Sequence, residues 1–186
     1  MKRQTLGVIF ALLSAACTKR TDTMVSLADV RAERTDSGEG QLYINALAEA
    51  VQKADQIVVT EHSDVSDVLD SHLQAPPAEK YHPVIYNMHE LSSSERADFL
   101  NAVKKMEPDT QDAFTACVFE PHHTITFVRQ GRAMSTLRVC FQCGQVEWDG
   151  SNKTPPWSLI PTLKNMVGKI GMKDKRDWYA LAKTVT

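Results

Sequence analysis

Between residues 113 and 149, short runs of alternating apolar and polar residues are cut at close intervals by turn formers. That rhythm leaves few sheets for the chain to build. Strand-like runs stand at Cys117–Phe119, Thr124–Val128, Thr136–Phe141 and Gln145–Trp148. Glu120-Pro121, Gln130-Gly131-Arg132 and Cys143-Gly144 separate them, and Asp149-Gly150 closes the series. In the third run Leu137, Val139 and Phe141 share one face while Arg138 and Cys140 share the other. Connections this short join antiparallel neighbours, because a parallel pair needs a long crossover. The region therefore predicts an antiparallel β-meander.

Around it, the period changes to that of a helix. Leu42, Leu47, Ala50 and Val51 recur at helical spacing through Gln41–Ala54. Gln56–Glu61 is a β-branched run and reads as a strand, and a short helix is expected over Asp64–His72, before Pro76-Pro77. Ser92-x-x-Glu95 is a capping box, with Phe99, Val103 and Met106 following on one face until Pro108. Leu159, Leu163, Met166, Val167 and Ile170 outline a further amphipathic helix in which Pro161 is tolerated only in the first turn. A last short helix is expected over Asp174–Lys183. The fold class predicted is α+β: a meander of about four to five antiparallel strands with helices packed on one face.

The first residues belong to a different kind of segment. Met1–Thr5 carries Lys2 and Arg3, Leu6–Leu13 is an uninterrupted apolar run, and Ser14-Ala15-Ala16 are small. A membrane-spanning helix needs about 20 apolar residues, more than this run supplies. Residues 1–17 resemble a bacterial lipoprotein signal, with residues 1–16 as the signal peptide and Cys17 as the site of lipid attachment; Ser14 departs from the leucine usual three positions before the cysteine. Simple cleavage before Cys17 is the alternative. Thr18 lacks the aspartate associated with inner-membrane retention, so the resemblance implies the periplasmic face of the outer membrane. Residues 17–40 are rich in Thr, Asp, Ser, Glu and Arg and end in Asp36-Ser37-Gly38-Glu39-Gly40; they read as a flexible tether. Residues 41–186 then form the folded domain, long enough for one core.

With Cys17 assigned to the lipid, Cys117, Cys140 and Cys143 remain, an odd number for an oxidising compartment. One disulfide with a spare buried thiol is the most ordinary outcome. A Cys3His zinc site is the alternative: Cys140-Phe141-Gln142-Cys143 has chelating spacing, and Cys117 with His122 or His123 would complete a tetrahedron. A redox-active pair lacks the helix N-terminus that usually activates such thiols, and three free thiols are the remaining option. Cys117, Pro121, the Ile125–Leu137 hairpin and the Cys140-Phe141-Gln142-Cys143 pair are together similar to a family of uncharacterised bacterial exported proteins and lipoproteins, across roughly residues 80–149. His82-Pro83-Val84, Leu91-Ser92 and Ala54–Val59 fit the same pattern. The resemblance implies an exported domain and carries no catalytic residues with it.

Other chemistry is thinly supported. Net charge is −2, with 21 basic and 23 acidic residues, and no dense Lys/Arg stretch offers phosphates a footprint, so nucleic acid is not an expected partner. There is no G-x-S-x-G element and no Gly-rich phosphate loop. Glu61, His62, Ser63, Asp64, Asp67, Asp70 and His72 include metal-capable side chains but read as a hydrated acidic face. His82 and His89 flank an extended segment near the surface. The expectation is a cell-envelope lipoprotein anchored by its lipid, a non-enzymatic binding or structural domain with a disulfide-stabilised sheet and an envelope protein as partner. A zinc-binding envelope protein is the second reading.

Overall fold

The structure, a computed structural model, describes residues 37–68, 82–110 and 116–184. The expected signal peptide, Cys17, most of the tether, Asp70 and His72 lie outside the described residues. In chain order the elements are α1 (Ser37–Lys53), β1 (Gln56–His62), α2 (Val65–Val68), β2 (Ile85–Glu90), α3 (Ser93–Lys104), β3 (His123–Arg129), β4 (Arg132–Cys140), β5 (Gln145–Trp148), α4 (Leu159–Lys169) and α5 (Trp178–Ala182). Helix α1 starts at Ser37, so the last four residues of the expected tether are its first turn. Two contacts hold that turn. Glu39 accepts hydrogen bonds from Lys153 Nζ at 2.9 Å and from the Thr154 amide at 3.1 Å. Gly40 passes so close to the neighbouring chain that an added methyl would lie 1.8 Å from the Pro108 carbonyl oxygen.

The fold is α+β, with one antiparallel sheet in the order β2-β1-β3-β4-β5. Strands β3, β4 and β5 form the expected meander. Its first turn, Gln130-Gly131, has positive φ at both residues (52° and 72°), the backbone twist a two-residue hairpin loop requires. Strand β1 comes earlier in the chain yet sits between β2 and β3, so the connection from β2 through α3 to β3 passes across it. The extended segment ending at His89 is the edge strand β2. Cys117–Phe119, by contrast, is irregular rather than a strand. Val118 is 75% exposed, and the segment is held by a covalent bond and not by a ladder.

Register assigns the faces. Ile57 lies opposite Phe127, Val59 opposite Ile125, Ile125 opposite Leu137 and Leu137 opposite Trp148. Paired residues project to the same side, so this row is one continuous apolar face. Tyr43, Leu47 and Val51 of α1, Phe99 and Val103 of α3, and Leu159, Leu163 and Val167 of α4 join it in a single core. Each fully buried aliphatic or aromatic side chain there contributes about 2 kcal/mol of transfer free energy. Trp148 meets Tyr43 edge-on at 5.1 Å and Phe127 at 6.3 Å. The opposite face carries Thr60, Thr124, Thr126, Thr136 and Arg138. The capping box at the start of α3 forms as expected: Ser92 Oγ accepts from the Glu95 amide and Glu95 accepts from the Ser92 amide.

Candidate functional site

One end of the sheet gathers most of the chemistry-bearing side chains. There β1 finishes at His62, β3 begins at His123 and β4 finishes at Cys140. The His62 amide donates to the His122 carbonyl at 3.0 Å, carrying the β1–β3 ladder one residue beyond the strand.

The sulfurs come first. Cys117 and Cys143 form a disulfide with a Cα–Cα distance of 5.7 Å, closing a sequence separation of 26. Cys140 is free and buried at 2% exposure, and its sulfur accepts the Cys143 amide at 3.4 Å. The turn Phe141–Gly144, with Gly144 at φ 67°, swings Cys143 back over the end of β4. The disulfide fastens the irregular 117–119 segment to this turn, and the Arg138 guanidinium covers the Phe119 ring at 5.7 Å.

Beside the sulfurs lies a buried group of imidazoles and carboxylates. His122 stacks on Trp178 with ring centroids 4.4 Å apart, and its Nε2 donates to both Asp67 oxygens at 3.0 and 3.1 Å. Asp67 Oδ2 also accepts the Asp64 amide at 2.7 Å. His62 Nδ1 faces the Ser63 carbonyl at 2.9 Å and Nε2 faces the Thr124 hydroxyl at 2.8 Å. A carbonyl only accepts, so Nδ1 carries the proton and the neutral ring accepts from Thr124. Burial holds the His62 pKa below its ordinary value, against the upward pull of the Ser63 carbonyl.

His123 is the most constrained of the three. It packs edge-on against Phe141 at 4.9 Å and Trp178 at 5.9 Å, and neither ring nitrogen has a hydrogen-bond partner of standard geometry among the described residues. Burial pushes its pKa down to about 4, helped by the neighbouring His62 and His122 and opposed weakly by the Lys173 backbone and Asp174. Glu61, wholly buried, is paired with Arg176, which reaches in from the segment before α5.

One sequence reading changes here. Glu61 and Asp67 are not a hydrated acidic face: both are buried and each has a basic partner, Arg176 and His122. The signal was in the alternation. Ile57, Val59 and Glu61 share a face, and two of the three are core residues. Arg176 and Trp178 carried no such mark. As for the zinc set, the structure splits it. Cys117 and Cys143 are spent on each other and His122 Nε2 on Asp67, leaving Cys140 and His123. No three His, Cys, Asp or Glu side chains converge as metal ligands among the described residues. His82 is exposed, and His89 is half-buried with its Nε2 on Glu95 at 3.1 Å.

No protein-family model, curated protein or solved structure matches the chain. The arrangement at the sheet end is thus read from its own chemistry.

Proposed function

We propose that this chain is an exported binding domain of the bacterial cell envelope, anchored by lipid on Cys17 at the periplasmic face of the outer membrane. The observation that carries the reading is the Cys117–Cys143 bond. Structural disulfides persist in oxidising compartments and are rare in the cytosol of mesophiles. The basic, apolar and small-residue order of residues 1–16 is of the export type. The two features are independent and agree.

Binding is favoured over catalysis by where the polar groups point. His122 is engaged by Asp67, Glu61 by Arg176, and both nitrogens of His62 by Ser63 and Thr124. Groups satisfied by one another brace a scaffold. A contact surface is available on edge strand β2, where Ile85 is 47% and Met88 62% exposed. An edge strand with apolar side chains suits an extended segment of an envelope protein, which adds its own backbone hydrogen bonds to the sheet.

Fractionation and mass analysis of the protein expressed with its leader test this directly. The expected result is a membrane-associated chain with lipid on Cys17 and a mass lower by the two hydrogens of one disulfide. Cys17→Ala should move it to the soluble periplasm. Retention in the cytosol with four free thiols, Cys17 among them, would overturn the assignment, and stoichiometric zinc on free thiols would replace it with a metal-binding role.

A further inference from the structure

Three sulfurs sit at one turn, and they are not equivalent. Cys143 is shared: its own sulfur is bonded to Cys117, while its backbone N–H is directed at the sulfur of Cys140, 3.4 Å away. Cys140 and Cys143 are buried, at 2% and 7% exposure, whereas Cys117 and the following Val118 are exposed. The N–H contact keeps the free Cys140 sulfur against the backbone of the residue whose own sulfur is already bonded, and a thiolate is the nucleophile in disulfide exchange. A C-x-x-C turn can itself close as a disulfide, so Cys143 has two candidate partners within reach of one turn.

We propose that Cys140 is an internal nucleophile that moves the disulfide from Cys117–Cys143 to Cys140–Cys143, making Cys117 a surface thiol that reacts with disulfide-bearing molecules. The step balances within the chain. Cys140 gives its proton to solvent, and its sulfur lone pair attacks Cys143 Sγ. The Cys143–Cys117 bond breaks with its electron pair leaving on Cys117, which takes up a proton. One S–S bond forms, one breaks, and no oxidant or reductant is consumed. Cys117 then attacks a second disulfide, forming a mixed disulfide with one half and releasing the other as a thiolate. The geometry also gives Cys140 a role beside the Cys117–Cys143 bond, because an exchange of this kind needs a third sulfur.

Oxidised glutathione serves as the probe, with the full chain folded at about pH 8, where thiols near their ordinary pKa begin to ionise, and the product located by peptide mass mapping. The expected product carries glutathione on Cys117 and a Cys140–Cys143 disulfide, and Cys140→Ala should abolish it. Glutathione on Cys140 with Cys117–Cys143 intact, no adduct in the folded chain, or a Cys117 adduct that survives in Cys140→Ala would each overturn the proposal. A second variant reads the same chemistry without the probe. Cys117→Ser, purified from an oxidising compartment, should hold a Cys140–Cys143 disulfide; two free thiols in that variant would equally sink it.

Discussion

At the scale of single residues, His123 is the side chain with the clearest consequence. Its imidazole is buried among Phe141 and Trp178 with a pKa near 4, while an unfolded histidine titrates near 6.5. Above pH 6.5 the ring is neutral in both states and its contribution to stability is complete. Between pH 6.5 and 4 the unfolded chain takes up a proton that the folded chain refuses, so stability falls as pH falls, by about 3 kcal/mol at the lower limit. His62, shifted in the same direction, steepens the same window. Urea unfolding at pH 7.5 and 5 should show this loss, and His123→Phe should reduce it; an unchanged pH slope in that variant would rule out His123 as its source. The Glu61–Arg176 pair makes a second test. Arg176→Met strands a buried carboxylate and should cost roughly 3 kcal/mol. Adding Glu61→Leu should recover much of it, and a double variant no more stable than Arg176→Met would mean the pair is not coupled. The sequence reads Glu61 as part of a hydrated acidic face, although its spacing after Ile57 and Val59 marks a core-facing position. Its partner was not legible, because Arg176 lies far along the chain in a segment with no periodicity of its own.

At the scale of elements, local signals and long-range ones separate cleanly. The start of α3 was legible because a capping box is written in four adjacent residues. Ser92→Ala should cost about 1 kcal/mol, read as a lower urea midpoint at unchanged slope. Strands β1 and β5 were legible because alternation and flanking turns are also local. Cys117–Phe119 misled because three apolar residues satisfy a strand pattern whether or not a neighbouring strand accepts them; here a disulfide does the fastening. Removing that fastening with Cys117→Ala and Cys143→Ala together should cost about 3 to 4 kcal/mol for a loop of this length, and thermal unfolding measures it. A loss below about 1 kcal/mol would mean the 117–119 segment is held by other contacts. The cysteines were legible as a cluster; which two of the three pair was not, because spacing alone allows Cys143 either partner.

At the scale of the molecule, α1 is locked to the rest of the fold at its first turn. Gly40→Ala should force α1 away from Pro108 and lower stability by about 1 to 3 kcal/mol, with retained secondary structure by circular dichroism. A neutral result would show that the approach is looser than described. The order of strands was not legible, since alternation reports which side of a sheet a residue faces and says nothing of its neighbour. That order has a kinetic meaning. Strand β1 emerges early but is bordered on both edges by strands made later, and its pairing of Gln56 with Val128 must wait until the chain beyond α3 is free to arrive. Pairings so distant in sequence slow a fold's assembly. A chain threaded outward from its N-terminus would therefore expose β1 unpaired for most of its passage, which makes Gln56–His62 the stretch where a holding chaperone would have the most to shield.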